Sequence, residues 1–159
     1  MSLIRLAVAS CLLLGAAIAA PAGAAVRLDE LRVPPGFRVE LLTDQVPNAR
    51  QMALGRFEGG KGVVYVGSMR EGKVYAVEID AGKARAVHTI ASDLEIPSGV
   101  AWRDGKLYVG ALSRILRFDG IDGRLAHPPA PVVVTDKLPD DKHHGARFLA
   151  FGPDGKLYV

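Results

Sequence analysis

The chain of 159 residues is poor in several things at once. It holds one cysteine, Cys11, one tryptophan and, counted through the sequence, one asparagine, Asn48; aromatics make up 6%. A lone cysteine excludes an internal disulfide and a thiolate metal centre. Charge of one sign is not concentrated anywhere: 20 Lys and Arg stand against 17 Asp and Glu, the net charge is +3, and the basic residues are scattered among acids. No stripe for nucleic acid results. Helical periodicity is scarce, and there is only one long apolar run, Leu6 to Ala20. It is shorter than the ~20 residues a membrane-spanning helix needs. With Arg5 before it and Ala22-Gly23-Ala24-Ala25 after it, it has the layout of a secretory signal peptide over residues 1–25. Val8-Ala9-Ser10-Cys11 looks like a lipidation box, but the apolar stretch before it is too short. The expectation is a cleaved leader, a periplasmic or secreted protein, and no stable membrane anchor.

What is present is a repeat. Short runs of Val, Leu, Tyr and Phe are punctuated by Gly, Asp and Pro, a pattern of many short strands. The first expected strand is Phe37–Leu42, after Val33-Pro34-Pro35-Gly36. Tyr65-Val66-Gly67 returns as Tyr108-Val109-Gly110 and begins again as Tyr158-Val159. Such spacing, with four strands per unit, is that of a β-propeller blade. Gln51–Gly55, Gly99–Trp102 and Phe148–Phe151 align as inner strands. Val63–Val66, Lys106–Val109 and Lys156–Val159 come second, Val74–Ile79 and Ile115–Phe118 third, and Ala86–Ile90 and Val132–Thr135 outermost. Asp104-Gly105 and Asp154-Gly155 suit hairpin turns. A β-sandwich with evenly spaced strands does not predict one tripeptide returning at blade length. The fold class expected is therefore all-β: two four-stranded blades and the start of a third, residues 26–159 forming the N-terminal part of a propeller that needs about four to eight blades to close.

Candidate chemistry is sparse. His143 and His144 lie before the third inner strand, after Asp140-Asp141-Lys142. An imidazole titrates near neutral pH and suits proton abstraction; the other reading is a pair of exposed loop histidines. On a strand, adjacent residues point to opposite faces, so the two do not grip one ion. Asp136, Asp140 and Asp141 either act on the histidines or form a solvated loop. His88 and His127 are expected in solvent. Gly55–Gly62 nearly matches a phosphate loop, but Gly62 stands where Ser or Thr is required and a strand follows, so Gly59–Gly62 reads as a hairpin loop. Tyr65, Tyr108 and Tyr158 share one blade position and are expected to pack.

Leu31–Phe37, Ala49–Gly55, Gly99–Gly110 and His143-His144-Gly145 running into Phe151–Val159 together resemble the glucose/sorbosone dehydrogenase family. Those are six-bladed propellers that use pyrroloquinoline quinone (PQQ). The resemblance covers residues 31–159, the first third or so of such an enzyme. It implies oxidation of an aldose or sorbosone-like compound, with PQQ and calcium as cofactors and an external electron acceptor. It places the family's general base on His144, counted back from Gly152-Pro153-Asp154. The cofactor's main ligands and the calcium ligands would lie in later blades. Glu95-Ile96-Pro97-Ser98-Gly99 stands where glucose-type members carry a glutamine, which leans toward the sorbosone-like branch. Arg50 and Arg147, before the first and third inner strands, either meet an anionic cofactor or substrate or pair with acids at the surface. Two rivals remain: a calcium-dependent propeller lactonase or hydrolase, which calls for inward acids and asparagines, and a non-catalytic propeller that binds protein or glycan.

Overall fold

A computed structural model describes residues 27–159, so the expected leader and Cys11 lie outside the described residues. Two units are distinguished, Met1–Glu40 and Leu41–Val159. In the first, the described part is a 3-10 turn, Leu28–Glu30, and a reversal in which Phe37 N–H donates to Pro34 O across Gly36, at φ +87°. Contrary to expectation, Phe37–Leu42 forms no strand. A run of alternating residues becomes a strand only when a ladder accepts its backbone groups, and none does here.

The second unit is built from antiparallel meanders. The first sheet runs in the order β1 (Ala49–Glu58), β2 (Lys61–Ser68), β3 (Val74–Asp80), β4 (Lys83–Ala91); the second runs β5 (Gly99–Arg103), β6 (Lys106–Gly110), β7 (Ile115–Asp119), β8 (Val132–Thr135). A short pair, β9 (Ala150–Phe151) and β10 (Leu157–Tyr158), begins a third. The fold is an incomplete β-propeller: two four-stranded blades and the start of another. The hairpins follow turn chemistry. Gly59-Gly60, Ala81-Gly82 and Asp104-Gly105 all take positive φ at both residues, matching strand twist. The third-unit turn differs from expectation. Only Gly155 is left-handed there, and Gly155 N–H closes it on Gly152 O.

Alternation along each strand sends side chains to two blade faces. Tyr65, Val74, Ala76 and Ile90 of the first blade meet Val100, Leu107, Val109, Leu116 and Phe118 of the second, with Ile121 and Leu125 from the β7–β8 connection. On the far face of the second blade, Ala101 and Ile115 meet Leu149 of the third unit. The repeated tyrosine pairs with an alanine in every unit: Ala53 with Tyr65, Ala101 with Tyr108, Ala150 with Tyr158. Tyr65 and Tyr108 point toward the unit that follows. Tyr65 is buried, Tyr108 stacks edge-on against Phe151 with ring centroids 5.2 Å apart, and Tyr158 is exposed. The preceding-blade face shows the same logic in reverse. Val100 and Leu149 are 1% and 2% exposed, whereas Met52, their counterpart in the first blade, is 66% exposed, and Leu54 is 67%. Those two side chains stand where a preceding blade would cover them.

The glycine of Tyr-Val-Gly now has a cause. A Cβ on Gly67 would meet the carbonyls of Pro97 and Ser98, and a Cβ on Gly110 would meet the Arg147 carbonyl. In each blade the end of the second strand is crossed by the backbone entering the next blade. Gly99, which opens β5 opposite Gly110, is tighter still, because its missing Cβ lies against Arg147 O. Backbone cannot retreat as a flexible side chain would. Replacing Gly99 by Ala is expected to destabilise the chain by about 3 kcal/mol or more, at the upper end of overpacking costs; urea titration measures it.

Tyr65 and Trp102 share one acceptor. Tyr65 OH donates to Asp122 Oδ1 at 3.4 Å and Trp102 Nε1–H donates to the same oxygen at 3.1 Å. Burial, and then the charge of Asp122, push the Tyr65 hydroxyl well above its ordinary value. A phenol whose folded value is raised binds its proton more tightly folded than unfolded. Its contribution is therefore complete below about pH 10, the ordinary tyrosine value, and is lost as pH rises beyond it. Phenolate absorbance should show one tyrosine that ionises only with unfolding, and Tyr65→Phe should abolish that late step.

Candidate functional site

Strand direction sorts the connections into two ends. The starts of β1, β5 and β9 share one end with the β2–β3, β4–β5, β6–β7 and β8–β9 connections. All three residues singled out from the sequence, Arg50, His144 and Arg147, lie at this entry end. The hairpins β1–β2, β3–β4 and β5–β6 lie at the other.

Gln51 organises the entry end. Its Nε2–H donates to Leu149 O at 2.7 Å, and its Oε1 accepts Leu149 N–H at 2.9 Å and Val100 N–H at 3.2 Å. Its backbone N–H donates to Ser98 O at 3.3 Å. One carboxamide thus pairs with Leu149 as a neighbouring strand would, and holds the second inner strand as well. No local pattern marks this role, because the partners lie 49 and 98 residues away.

His144 is not on the strand. The ladder begins at Ala150, and His143 and His144 form a turn ahead of it, both exposed. His144 is left-handed, φ +58°, a conformation uncommon for a residue with a side chain. The rings do not point to opposite faces as a strand would have them; they meet edge to face, centroids 4.2 Å apart. Asp141 caps the turn by accepting His143 N–H at 2.9 Å, and Lys142 pairs with Glu95 at 2.7 Å. That hydrogen bond and the Glu95 charge raise the Lys142 ammonium above its ordinary value. Asp136 and Asp140 are exposed.

Arg147 faces loop carbonyls rather than acids. Its Nε–H donates to Leu112 O at 3.0 Å, an Nη2–H donates to Pro139 O at 2.7 Å, and its backbone N–H donates to Ser98 Oγ at 3.0 Å. Part of the guanidinium fork stays uncommitted. Arg50 is exposed at the start of β1. Among the described residues none of the three hydrogen-bonds to another, and Arg50 makes no ion pair.

A cleft of about 690 Å³ opens at the opposite, hairpin end, lined among others by Arg56, Glu58, Lys61, Asp80, Arg85 and His88. Its charges largely answer one another: Arg56 with Glu58, Lys61 and Arg85 with Asp80, and His88 Nε2 with Glu78 at 2.6 Å. His88 is thus partnered and mostly covered, not in free solvent as expected, whereas His127 is exposed. The cleft's charges being satisfied, the entry end is the better candidate. Among the described residues no three His, Cys, Asp or Glu side chains gather to hold a metal. No described helix is long and apolar enough to cross a membrane.

No family model matches the chain. An uncharacterized protein of Borreliella burgdorferi is 32% identical over 85 residues, 54% of this chain and 20% of that protein. Among solved structures, the PQQ-bound form of aldose sugar dehydrogenase from Streptomyces coelicolor superposes with a TM-score of 0.55 at 23% identity, covering 75% of this chain and 39% of that one. The likeness is one of fold. The chain spans about a fifth of the length of the first protein and about two-fifths of the second.

Gln51→Leu tests the hub. It removes three side-chain bonds and leaves Leu149 and Val100 backbone groups without partners, at about 1–3 kcal/mol each where water is excluded. A loss of at least about 2 kcal/mol is expected in chemical denaturation.

Proposed function

We propose that the protein containing this chain oxidises a sugar, an aldose or a sorbosone-like aldehyde or hemiacetal, with His144 as general base and PQQ as the hydride acceptor. The observation that carries this reading is the exposed His144, held left-handed on a turn at the propeller's entry end. Strained non-glycine residues cluster at active sites, and an exposed imidazole suits proton abstraction near neutral pH. The fold likeness to a PQQ-bound aldose sugar dehydrogenase supports it.

The chemistry follows from the side chain. A neutral His144 ring nitrogen takes the hydroxyl proton of the substrate while the adjacent C–H leaves with its electron pair, so that a carbonyl forms and His144 becomes imidazolium. PQQ, when bound, supplies the two-electron acceptor, and an external acceptor later removes those electrons. Arg50, exposed at the start of β1, is chemically suited to its carboxylates. The described residues offer no carboxylate cluster for calcium, so no step is routed through that ion. The leader layout supports a periplasmic or secreted site of action.

Dye reduction by the full-length protein, loaded with PQQ and calcium and offered aldoses and sorbosone, tests the reading. His144→Ala should lower turnover by about 10²–10⁴-fold, the usual worth of a positioned base. Undiminished turnover in that variant, or no activity of the parent with any such sugar, would end the proposal.

A further inference from the structure

We propose that Arg147 is a positioning residue: its side chain clamps the base of the loop 139–147 and so fixes the turn that carries His144. The inference rests on the reading of His144 as base.

β8 ends at Thr135, and the stretch from Pro139 to Arg147 carries the two histidines near its middle. Arg147 Nη2–H donates to Pro139 O and closes the loop on itself, while Nε–H donates to Leu112 O and ties it to the β6–β7 connection. Leu112 is a shared anchor. Its N–H donates to Glu95 O at 2.8 Å, and its side chain occupies the space where a Cβ of Gly145 would stand. Gly145, next to His144, is buried beneath the turn. The apex therefore cannot swing without breaking the Arg147 bonds.

A second strut, Lys142–Glu95, is 76% and 51% exposed at its two side chains. Exposed pairs of this kind are weak and screened by salt. Arg147 is partly buried and reaches two carbonyls with one rigid planar group. A lysine, with a single point charge on a flexible stem, cannot reproduce that fork. The repeat supplies an internal contrast. Arg50 and Ser98 occupy the matching places before the first and second inner strands, where no histidine turn needs holding. Arg50 makes no such carbonyl bonds, and Ser98 lends its hydroxyl to Arg147 N–H.

The test uses the full-length protein with Arg147→Ala, Arg147→Lys and His144→Ala. In both Arg147 variants, amide exchange over residues 140–146 should quicken about tenfold or more while β6 stays at its parent rate. Turnover should fall about 10–100-fold, the scale of an ångström's misplacement, with KM and PQQ affinity unchanged. Added guanidinium ion should partly restore Arg147→Ala, and Arg147→Lys should not behave as the parent. Lost PQQ affinity with parent-like loop exchange would make Arg147 a cofactor ligand and overturn the clamp, as would parent-like exchange and turnover together. If Arg147→Ala does not fold, Arg147→Lys carries the same readouts. Full turnover in His144→Ala would remove the base while leaving the exchange result to judge the clamp.

Discussion

The carboxamide of Gln51 is the point on which the entry end depends. Propeller blades pack through side chains, yet here the inner strands are also stitched by polar bonds from one residue. Leu149 N–H and C=O and Val100 N–H all end on Gln51. A hydrophobic side chain would pack as well, but it would leave backbone groups unpaired where little water reaches. The stitch therefore fixes the relative height of three strands. In doing so it sets where Ser98 and Arg147 sit above them.

Around that stitch the blades repeat one solution. A tyrosine leans on an alanine and points forward; a larger apolar residue points back; a glycine ends the second strand where the next backbone crosses. Tyr65, Leu107 and Phe118 pack the joint between the two complete blades. Asp122 reaches in from the β7–β8 connection to take the two polar hydrogens that the joint would otherwise bury, from Tyr65 and Trp102. Both blades supply the apolar side of the joint, and the second supplies the acceptor.

Much of this was readable beforehand, and the part that was not has a common cause. Every strand of the two blades follows from local alternation and turn residues, and Asp104-Gly105 marks its hairpin because the constraint on φ acts within two residues. Phe37–Leu42 alternates too, but pairing depends on a partner that local pattern does not display. Gln51 reads as an ordinary polar strand residue, since its partners are distant in sequence. The placement of His144 before the third inner strand was legible from spacing. Its left-handed turn was not, because histidine carries no signal for that conformation. Arg147 was legible as a charge near the entry end, whereas its attachment to the Leu112 and Pro139 carbonyls depends on how two connections meet.

The stitch by Gln51 has a kinetic side. Leu149 lies 98 residues after it, while the β1–β2, β3–β4 and β5–β6 hairpins close over two. Local hairpins form early and cheaply in entropy, whereas contacts of such long separation wait for the intervening chain to organise. The Gln51–Leu149 contact spans more of the chain than the other side-chain hydrogen bonds at the entry end, so its closure costs the most chain entropy there, and the histidine turn lies five residues before it.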